Sequence, residues 1–470
     1  MSRTRIVCTL GPATNSEDRM RALIRSGMNV ARFNFSHGTR EDHARRVELV
    51  RRIAAEEHAV IALLGDLQGP KIRVGEIPNG SVELAQGETV AFALGKDSAD
   101  GAIPLAFPFL GDVLKPDDHF LMDDGNLEVQ VLTATPERIE ARVVTGGTLS
   151  SHKGVNLPSI SLPIPALTEK DAEDADWAVD QDFDYMALSF VRKPQDVLDL
   201  RLRLAARGAD IPIIAKIEKP EAVALIDAIL EVTDGVMVAR GDLGVELPAE
   251  QVPIYQKQII HKANKLGKPV ITATQMLESM IHNPRPTRAE ASDVANAILD
   301  GSDAVMLSGE TSVGSYPVEA VRAMAHIAEF TERNLPAHVI TAPDCLDQEM
   351  SITDAIGLNT VDVAEQVHAK LIVTLTTSGY SARMVSRHRP NIPMLAVTTS
   401  DKTRRRLALV WGAQSELVPE EADMETLVHM ALTKVCAVGA ARSGDRVVLT
   451  AGVPPGAPGR TNMLQVRHVP

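Results

Sequence analysis

Ile213-Ile-Ala-Lys-Ile-Glu218, followed after a short helical stretch by Val236-Met-Val-Ala-Arg-Gly-Asp242, is the part of the chain on which the fold turns. Each segment opens as a short apolar, β-branched run without polar alternation, the pattern of a strand buried on both faces of a parallel sheet. Each then ends on charge. Lys216 and Glu218 stand two apart, so both side chains leave the same face of the strand. Asp242 lies just past the end of the next strand.

Runs of the same kind recur at 6–10, 30–35, 60–64, 185–191, 269–273 and 304–307, and with 211–217 and 235–239 they make about eight. Helical patterns follow nearly every one, at 17–26, 40–57, 194–207, 221–231, 249–266 and 318–333. Eight such βα units closed in a ring make a TIM barrel, which carries its active site on the face formed by the C-terminal strand ends. Thr168-Glu-Lys-Asp171 and Thr287-Arg-Ala-Glu290 mark two helix starts as capping boxes.

Between Asp66 and about Val155 the helical periodicity vanishes, and short alternating segments appear between Gly, Pro and Asn turns. This predicts a small all-β insertion after the third strand, placed over the active face as a lid. Residues 336–347 contain two prolines and few helical signals, and an open α/β pattern of helices and apolar strands follows. The expected organisation is a catalytic barrel (1–69 and 156–335), an inserted β lid (70–155) and a C-terminal α/β regulatory domain (348–470).

Composition narrows the function. The 470 residues carry 48 Lys plus Arg against 62 Asp plus Glu, a formal charge of -14, and only 3% are aromatic. Such a chain repels nucleic acid and anionic lipid and lacks base-stacking platforms. Cys8, Cys345 and Cys436 form no CxxC pair, which fits a reducing cytoplasm and no thiolate zinc site. No uncharged apolar run reaches the roughly 18 residues that span a bilayer, and the N-terminus has no signal-peptide pattern.

The polar residues at the strand ends carry the chemistry. Glu218 and Asp242 offer hard oxygens that suit Mg²⁺ while leaving room for water and substrate. Lys216 beside such a metal suits a phosphoryl group or an enolate. Gly241 and Gly244 permit a tight turn whose N–H groups can hold a carboxylate. Arg32, Asn34 and Ser36 share one face of the second strand while Phe33 and Phe35 share the other, and an interior polar row of that kind points to a ligand. His37 follows it, Lys71 and Arg73 sit where the lid begins, and Lys153 where it ends. Thr274, Ser308 and Glu310 bring hydroxyls and a carboxylate to the last two strand ends.

Over essentially its whole length the chain resembles pyruvate kinases. The resemblance rests on Ile213-Ile-Ala-Lys-Ile-Glu-Lys-Pro-Glu221, Val236-Met-Val-Ala-Arg-Gly-Asp-Leu-Gly244, Thr272-Ala-Thr-Gln-Met-Leu-Glu-Ser-Met280 and Ala304-Val-Met-Leu-Ser-Gly-Glu-Thr311, in that order. It implies a cytoplasmic homotetramer that transfers phosphoryl from phosphoenolpyruvate to ADP, giving pyruvate and ATP, with Mg²⁺ or alternatively Mn²⁺. By the same resemblance Glu218 and Asp242 hold the metal, and Gly241, Asp242 and Thr274 position the substrate carboxylate. Lys216 then meets the moving phosphoryl and the enolate, Arg32 and Arg73 hold phosphate oxygens, and Asn34, His37 and Lys153 lie near the nucleotide. Thr274, with Ser308, Glu310 and water, supports protonation at carbon.

Two further expectations come from departures within the resemblance. K⁺-requiring relatives hold the ion at positions that correspond to Asn34, Ser36, Asp66 and Leu67, and carry Glu where this chain has Lys71 in Gly69-Pro-Lys-Ile-Arg73. An ammonium there can replace K⁺, so K⁺ is expected not to be required. Thr376, Thr377, Ser378 and Ser381 correspond to the family's effector-phosphate loop, while the loop 452–460 lacks the Trp-Arg pair of fructose-bisphosphate-regulated relatives. A hexose or pentose monophosphate, or AMP, is the expected allosteric effector. Two other classes stay open: a metal-dependent barrel lyase acting on pyruvate enolates, which needs no ADP, and a catalytically silent metabolite sensor, which would have lost Lys216 or a metal ligand.

Overall fold

The computed structural model describes residues 2–95, 101–107, 109–158, 160, 164–334, 350–421, 423–454 and 459–470. The segment expected to separate barrel from C-terminal region, 336–347, and the expected boundary positions 335 and 348 lie outside those residues.

Eight strands close a parallel barrel: β1 (Arg5–Thr9), β2 (Val30–Asn34), β3 (Ala62–Asp66), β4 (Tyr185–Leu188), β5 (Ile213–Ile217), β6 (Gly235–Ala239), β7 (Val270–Ala273) and β8 (Ala304–Leu307). The hydrogen-bonded ring runs in chain order, and β1 closes it by pairing with both β2 and β8. Alternation divides the buried side chains. Ile213, Ala215 and Ile217 of β5 face the helical shell, whereas Ile214 packs inside with Val7, Leu64, Tyr185 and Met237.

The β3 register departs from expectation. The strand runs to Asp66 rather than ending at 64, because Gly65 fits between Met186 and Phe35, where a side chain would collide with both. Asp66 is therefore held by the barrel ladder itself. The helix expected at 221–231 is two, Pro220–Ala224 and Ile226–Val232, broken at Leu225.

Between β3 and β4 lies a seven-stranded sheet with the spatial order Ile72–Arg73, Gly154–Asn156, His119–Met122, Leu127–Ala134, Arg138–Thr145, Thr89–Leu94 and Ile103–Leu105. Its core is Phe92, Phe120, Val129, Val131 and Ile139. The strands at its root, Ile72–Arg73 and Gly154–Asn156, pair antiparallel, so the insertion leaves and rejoins the barrel through one narrow neck.

The C-terminal region forms a five-stranded sheet from β9 (Leu371–Leu375), β10 (Met394–Thr398), β11 (Ala413–Leu417), β12 (Arg446–Ala451) and β13 (Met463–His468), in the order β11-β10-β9-β12-β13. The polar edge strands β11 and β13 lack the apolar runs that mark β9, β10 and β12. This region seals the bottom of the barrel. Ala408 and Leu409 join the interior barrel cluster, the Tyr185 hydroxyl donates to the Arg406 carbonyl (2.7 Å), and Arg405 and Arg389 pair with Asp184 and Asp303 (2.7 Å each). Among the described residues no helix is long and apolar enough to cross a membrane.

Candidate active site at the mouth of the barrel

Four charges from the ends of β2, β3 and β5 meet at the barrel mouth. Lys216 is the next inward position above Ile214 on β5, and its Nζ lies 2.6 Å from Glu218 Oε1 and 3.5 Å from Asp66 Oδ1. It also donates to Ser189 Oγ at 2.8 Å, one residue beyond β4. From β2, Arg32 places Nε 2.7 Å and Nη2 2.6 Å from Asp66 Oδ2, while its Nη1 donates to Thr9 Oγ1 at 2.8 Å. Asp66 is 1% exposed and Lys216 9%. The second oxygen of Glu218 accepts the Phe190 N–H at 3.0 Å.

The electrostatics follow from burial and sign. Burial pushes the Asp66 carboxyl up, but Lys216 and Arg32 more than offset this and hold it below its ordinary range. Burial pushes Lys216 down, and Asp66, Glu218 and Asp242 reverse that, leaving its ammonium harder to deprotonate than in water. Glu218 remains raised, by burial first, with Asp242 adding to it and Lys216 opposing it. A buried carboxylate in that condition gains from a further cation.

Beyond β6 the expected tight glycine turn is replaced by a helix, Arg240–Glu246, that begins at once. Its first turn carries Gly241 and Asp242. Neither Gly241 nor Gly244 is among the positive-φ residues. Gly241 sits in tight space instead, since a Cβ there would lie 3.3 Å from Thr274 Oγ1, which accepts the Gly241 N–H at 2.7 Å. Thr274 itself has φ +68°, uncommon for a β-branched residue. Arg240 holds it there by donating to the Thr274 carbonyl at 2.8 Å while pairing with Asp293 at 2.7 Å. Glu310 does not open onto the substrate space; its buried carboxylate accepts the N–H groups of Leu277 (3.0 Å) and Ser308 (2.7 Å), tying the last two strand ends together. Ser308, Gly241, Asp242 and Thr274 line a cleft of about 820 Å³ that reaches Asp124 of the lid.

The remaining residues gather around this centre unequally. Lys71 Nζ stands 4.0 Å from Asp242 Oδ1. The His37 imidazole is pushed below its ordinary value by burial first and then by the charges of Arg73, Lys71 and Arg32. Arg73 donates to the His152 carbonyl (3.0 Å) and Lys153 pairs with Asp123 (2.6 Å), both within the lid. Asn34 Oδ1 accepts the Ser36 N–H at 3.2 Å, and the Leu67 carbonyl accepts the Ser189 hydroxyl at 2.7 Å. Thr376, Thr377, Ser378 and Ser381 line a separate pocket in the C-terminal sheet, where Arg460 joins them and Ser381 Oγ lies 2.8 Å from Thr461 Oγ1.

Residues 1–321 match the family model described as the pyruvate kinase barrel domain, and 354–467 the one described as the pyruvate kinase alpha/beta domain. The chain belongs to the pyruvate kinase family. It is 47% identical to the pyruvate kinase of Geobacillus stearothermophilus over 99% of its own length and 80% of that protein's. Against the Staphylococcus aureus (strain MRSA252) enzyme the identity is 43%, over 100% of this chain and 81% of that one. A crystal structure of a pyruvate kinase from Cryptosporidium parvum superposes with a TM-score of 0.93 at 36% identity, covering 100% of this chain and 96% of that one. The enzyme transfers the phosphoryl group of phosphoenolpyruvate to ADP, the pyruvate-forming step of glycolysis, which removes the lyase and sensor alternatives.

Pyruvate kinases use a divalent metal, and the donor set fits one. Glu218 and Asp242 supply carboxylate oxygens, and burial raises the former. Among the described residues no group of three or more His, Cys, Asp or Glu forms a cage that could hold a metal by itself. Two carboxylates leave the remaining positions to substrate and water.

Sequence reasoning passed over Ser189, Arg240 and Phe190. Ser189 carried the same signal as its neighbours, a polar residue one step past a buried strand. The backbone role of Phe190 has no sequence signal.

Replacing Asp66 by Asn leaves Arg32 and Lys216 buried without their shared counter-charge, a loss of about 3–5 kcal/mol in unfolding free energy. Because the folded-state pKa of Asp66 is lowered, its stabilisation is present above about pH 4 and fades as the pH falls through the folded value. Denaturant unfolding from pH 7 to 3 should therefore show Asp66→Asn less stable at pH 7, with the difference shrinking towards pH 3.

Proposed function

We propose that the enzyme is a Mg²⁺-dependent, K⁺-independent pyruvate kinase of the cytoplasm, regulated by a phosphorylated metabolite and assembled as a homotetramer. The observation that carries the catalytic part is the Lys216 ammonium, buried among Asp66, Glu218 and Ser189 with Asp242 alongside. The three-part division is read as working parts: a catalytic barrel (1–69 with 156–335), a lid (70–155) and a regulatory region (348–470).

In this reading Glu218 and Asp242 hold Mg²⁺, which when bound supplies positive charge against the substrate's phosphate and enolate oxygens. The Gly241 N–H and the Thr274 hydroxyl, already in contact, receive the substrate carboxylate. Arg32 and Lys216 hold phosphate oxygens. As the bond from phosphorus to the enol oxygen breaks and the bond to the ADP β-phosphate oxygen forms, Lys216 stays against both the moving phosphoryl and the departing enolate. The enolate electron pair then takes a proton at carbon, with Thr274 and Ser308 orienting the water that delivers it. Asn34, His37, Arg73 and Lys153 meet the nucleotide.

Lys216→Met should lower turnover by about 10²-fold or more, with a smaller effect on substrate half-saturation. Glu218→Gln should instead raise the Mg²⁺ concentration needed for half-activation. Near-normal turnover in Lys216→Met would remove the mechanism.

K⁺ independence is supported by charge already in place. Asp66, which corresponds to a K⁺ ligand in K⁺-requiring relatives, is saturated by Arg32 and Lys216, and the Lys71 ammonium stands beside Asp242. Full activity is expected in a tetramethylammonium buffer without K⁺, and partial K⁺ dependence in Lys71→Glu. Strong activation of the unmodified enzyme by K⁺ at constant ionic strength contradicts this.

The regulatory reading is supported by the pocket of hydroxyls and Arg460, which suits one phosphate. Hexose or pentose monophosphate, or AMP, should lower phosphoenolpyruvate half-saturation, and Arg460→Ala should abolish that shift. Response to fructose bisphosphate alone would refute it.

A further inference from the structure

The lid root, the loop that bears Glu218 and the helix that bears Asp242 converge on one buried side chain that the catalytic mechanism does not use. Glu246 ends the helix Arg240–Glu246 and is 5% exposed. Its Oε1 accepts the Asn156 side-chain N–H at 3.1 Å and pairs with Lys219 Nζ at 2.6 Å. Asn156 is the last residue of the strand Gly154–Asn156, which crosses from the lid (70–155) into the barrel, so Asn156 is the barrel-side end of the lid's returning strand. Lys219 directly follows Glu218, and its ammonium lies 5.5 Å from the centre of the Phe190 ring. The Phe190 N–H in turn holds Glu218, and its ring closes against the other lid root, where a Cβ on Gly69 (φ +68°) would come 2.5 Å from Phe190 Cδ2.

One carboxylate thus joins three pieces: the returning lid strand, the β5 loop that bears Glu218, and the helix whose first turn bears Asp242. The lid also comes near the same helix at Gly125, where an added Cβ would lie 3.7 Å from Val245. A buried carboxylate needs its partners. Lys219 and Glu246 both belong to the barrel, whereas Asn156 lies on the strand that carries the chain out of the lid, so of the two contacts the Asn156 bond is the one that a lid movement would strain. We propose that Glu246 is a positioning residue that latches the lid through Asn156, so that the lid closes against the helix and loop carrying Asp242 and Glu218. Its consequence for ADP rests on the reading, given above, that the lid meets the nucleotide.

Asn156→Ala deletes the strand half of the latch, at the neck of the lid, without leaving a buried charge alone. A hydrogen bond to a charged group corresponds to roughly tenfold in an equilibrium, so the half-saturation for ADP should rise about tenfold and more than that for phosphoenolpyruvate. In the enzyme without substrates, amide hydrogen exchange at 154–157 and 123–126 should quicken by a similar factor, with exchange of the barrel strands unmoved. Asn156→Asp alone, which sets two carboxylates together, should behave at least as badly. Combining Asn156→Asp with Glu246→Gln reverses donor and acceptor, keeps one negative charge for Lys219, and should recover both readouts. Unchanged exchange in Asn156→Ala overturns the latch, as does an equal rise for both substrates or failure of the double variant to recover. Faster exchange at an unchanged ADP half-saturation supports the latch and overturns the reading of the lid as nucleotide holder.

Discussion

Asp66, sealed in the barrel mouth between Arg32 and Lys216, is the constraint on which the site depends. A carboxylate at 1% exposure is tolerated only with strong partners. The two cations that satisfy it are the ones that the proposed mechanism points at the phosphoryl group. Because Asp66 is the last residue of β3 and is fixed by the barrel ladder, its oxygens set where both cations stand before substrate arrives. Preorganised charge of this kind needs no rearrangement during the chemical step.

The rest of the molecule supports that placement from two sides. Below, Leu409 fills the barrel base while Arg405 and Arg389 pair across to the ends of the strands. The same segment reaches the C-terminal pocket, because Thr403 of the helix Asp401–Arg406 donates its hydroxyl to the Thr377 carbonyl at 2.7 Å. A short, continuous stretch of chain therefore runs from the loop that would hold a phosphorylated effector to the floor of the barrel. Above, the lid meets the barrel through the narrow neck at Ile72–Arg73 and Gly154–Asn156.

Much of this was legible in the sequence, and the limits have physical reasons. Barrel strands announce themselves because burial on both faces demands unbroken apolar runs, and the spacing of two between Lys216 and Glu218 puts both on one face. Register was less legible: the run at 60–64 conceals a ladder that continues to Asp66, made possible by Gly65. Gly241 looked like a turn residue because glycine marks both unusual φ and close approach, and only the nearness of Thr274 tells them apart. The break at Leu225 and the polar edge strands β11 and β13 follow from tertiary packing. Latch residues such as Asn156 and Glu246 lie far apart in the chain, and single-sequence reading cannot join them.

The most direct test of the account is the single-turnover rate of phosphoryl transfer in Asp66→Asn, at saturating phosphoenolpyruvate, ADP and Mg²⁺ and at a pH where the variant is folded. If Asp66 aligns Lys216 and Arg32, transfer should slow by about 10²-fold or more although every group that touches substrate is still present. A rate within about twofold of the unmodified enzyme would contradict the account, because the two cations would then be finding their places without the carboxylate between them.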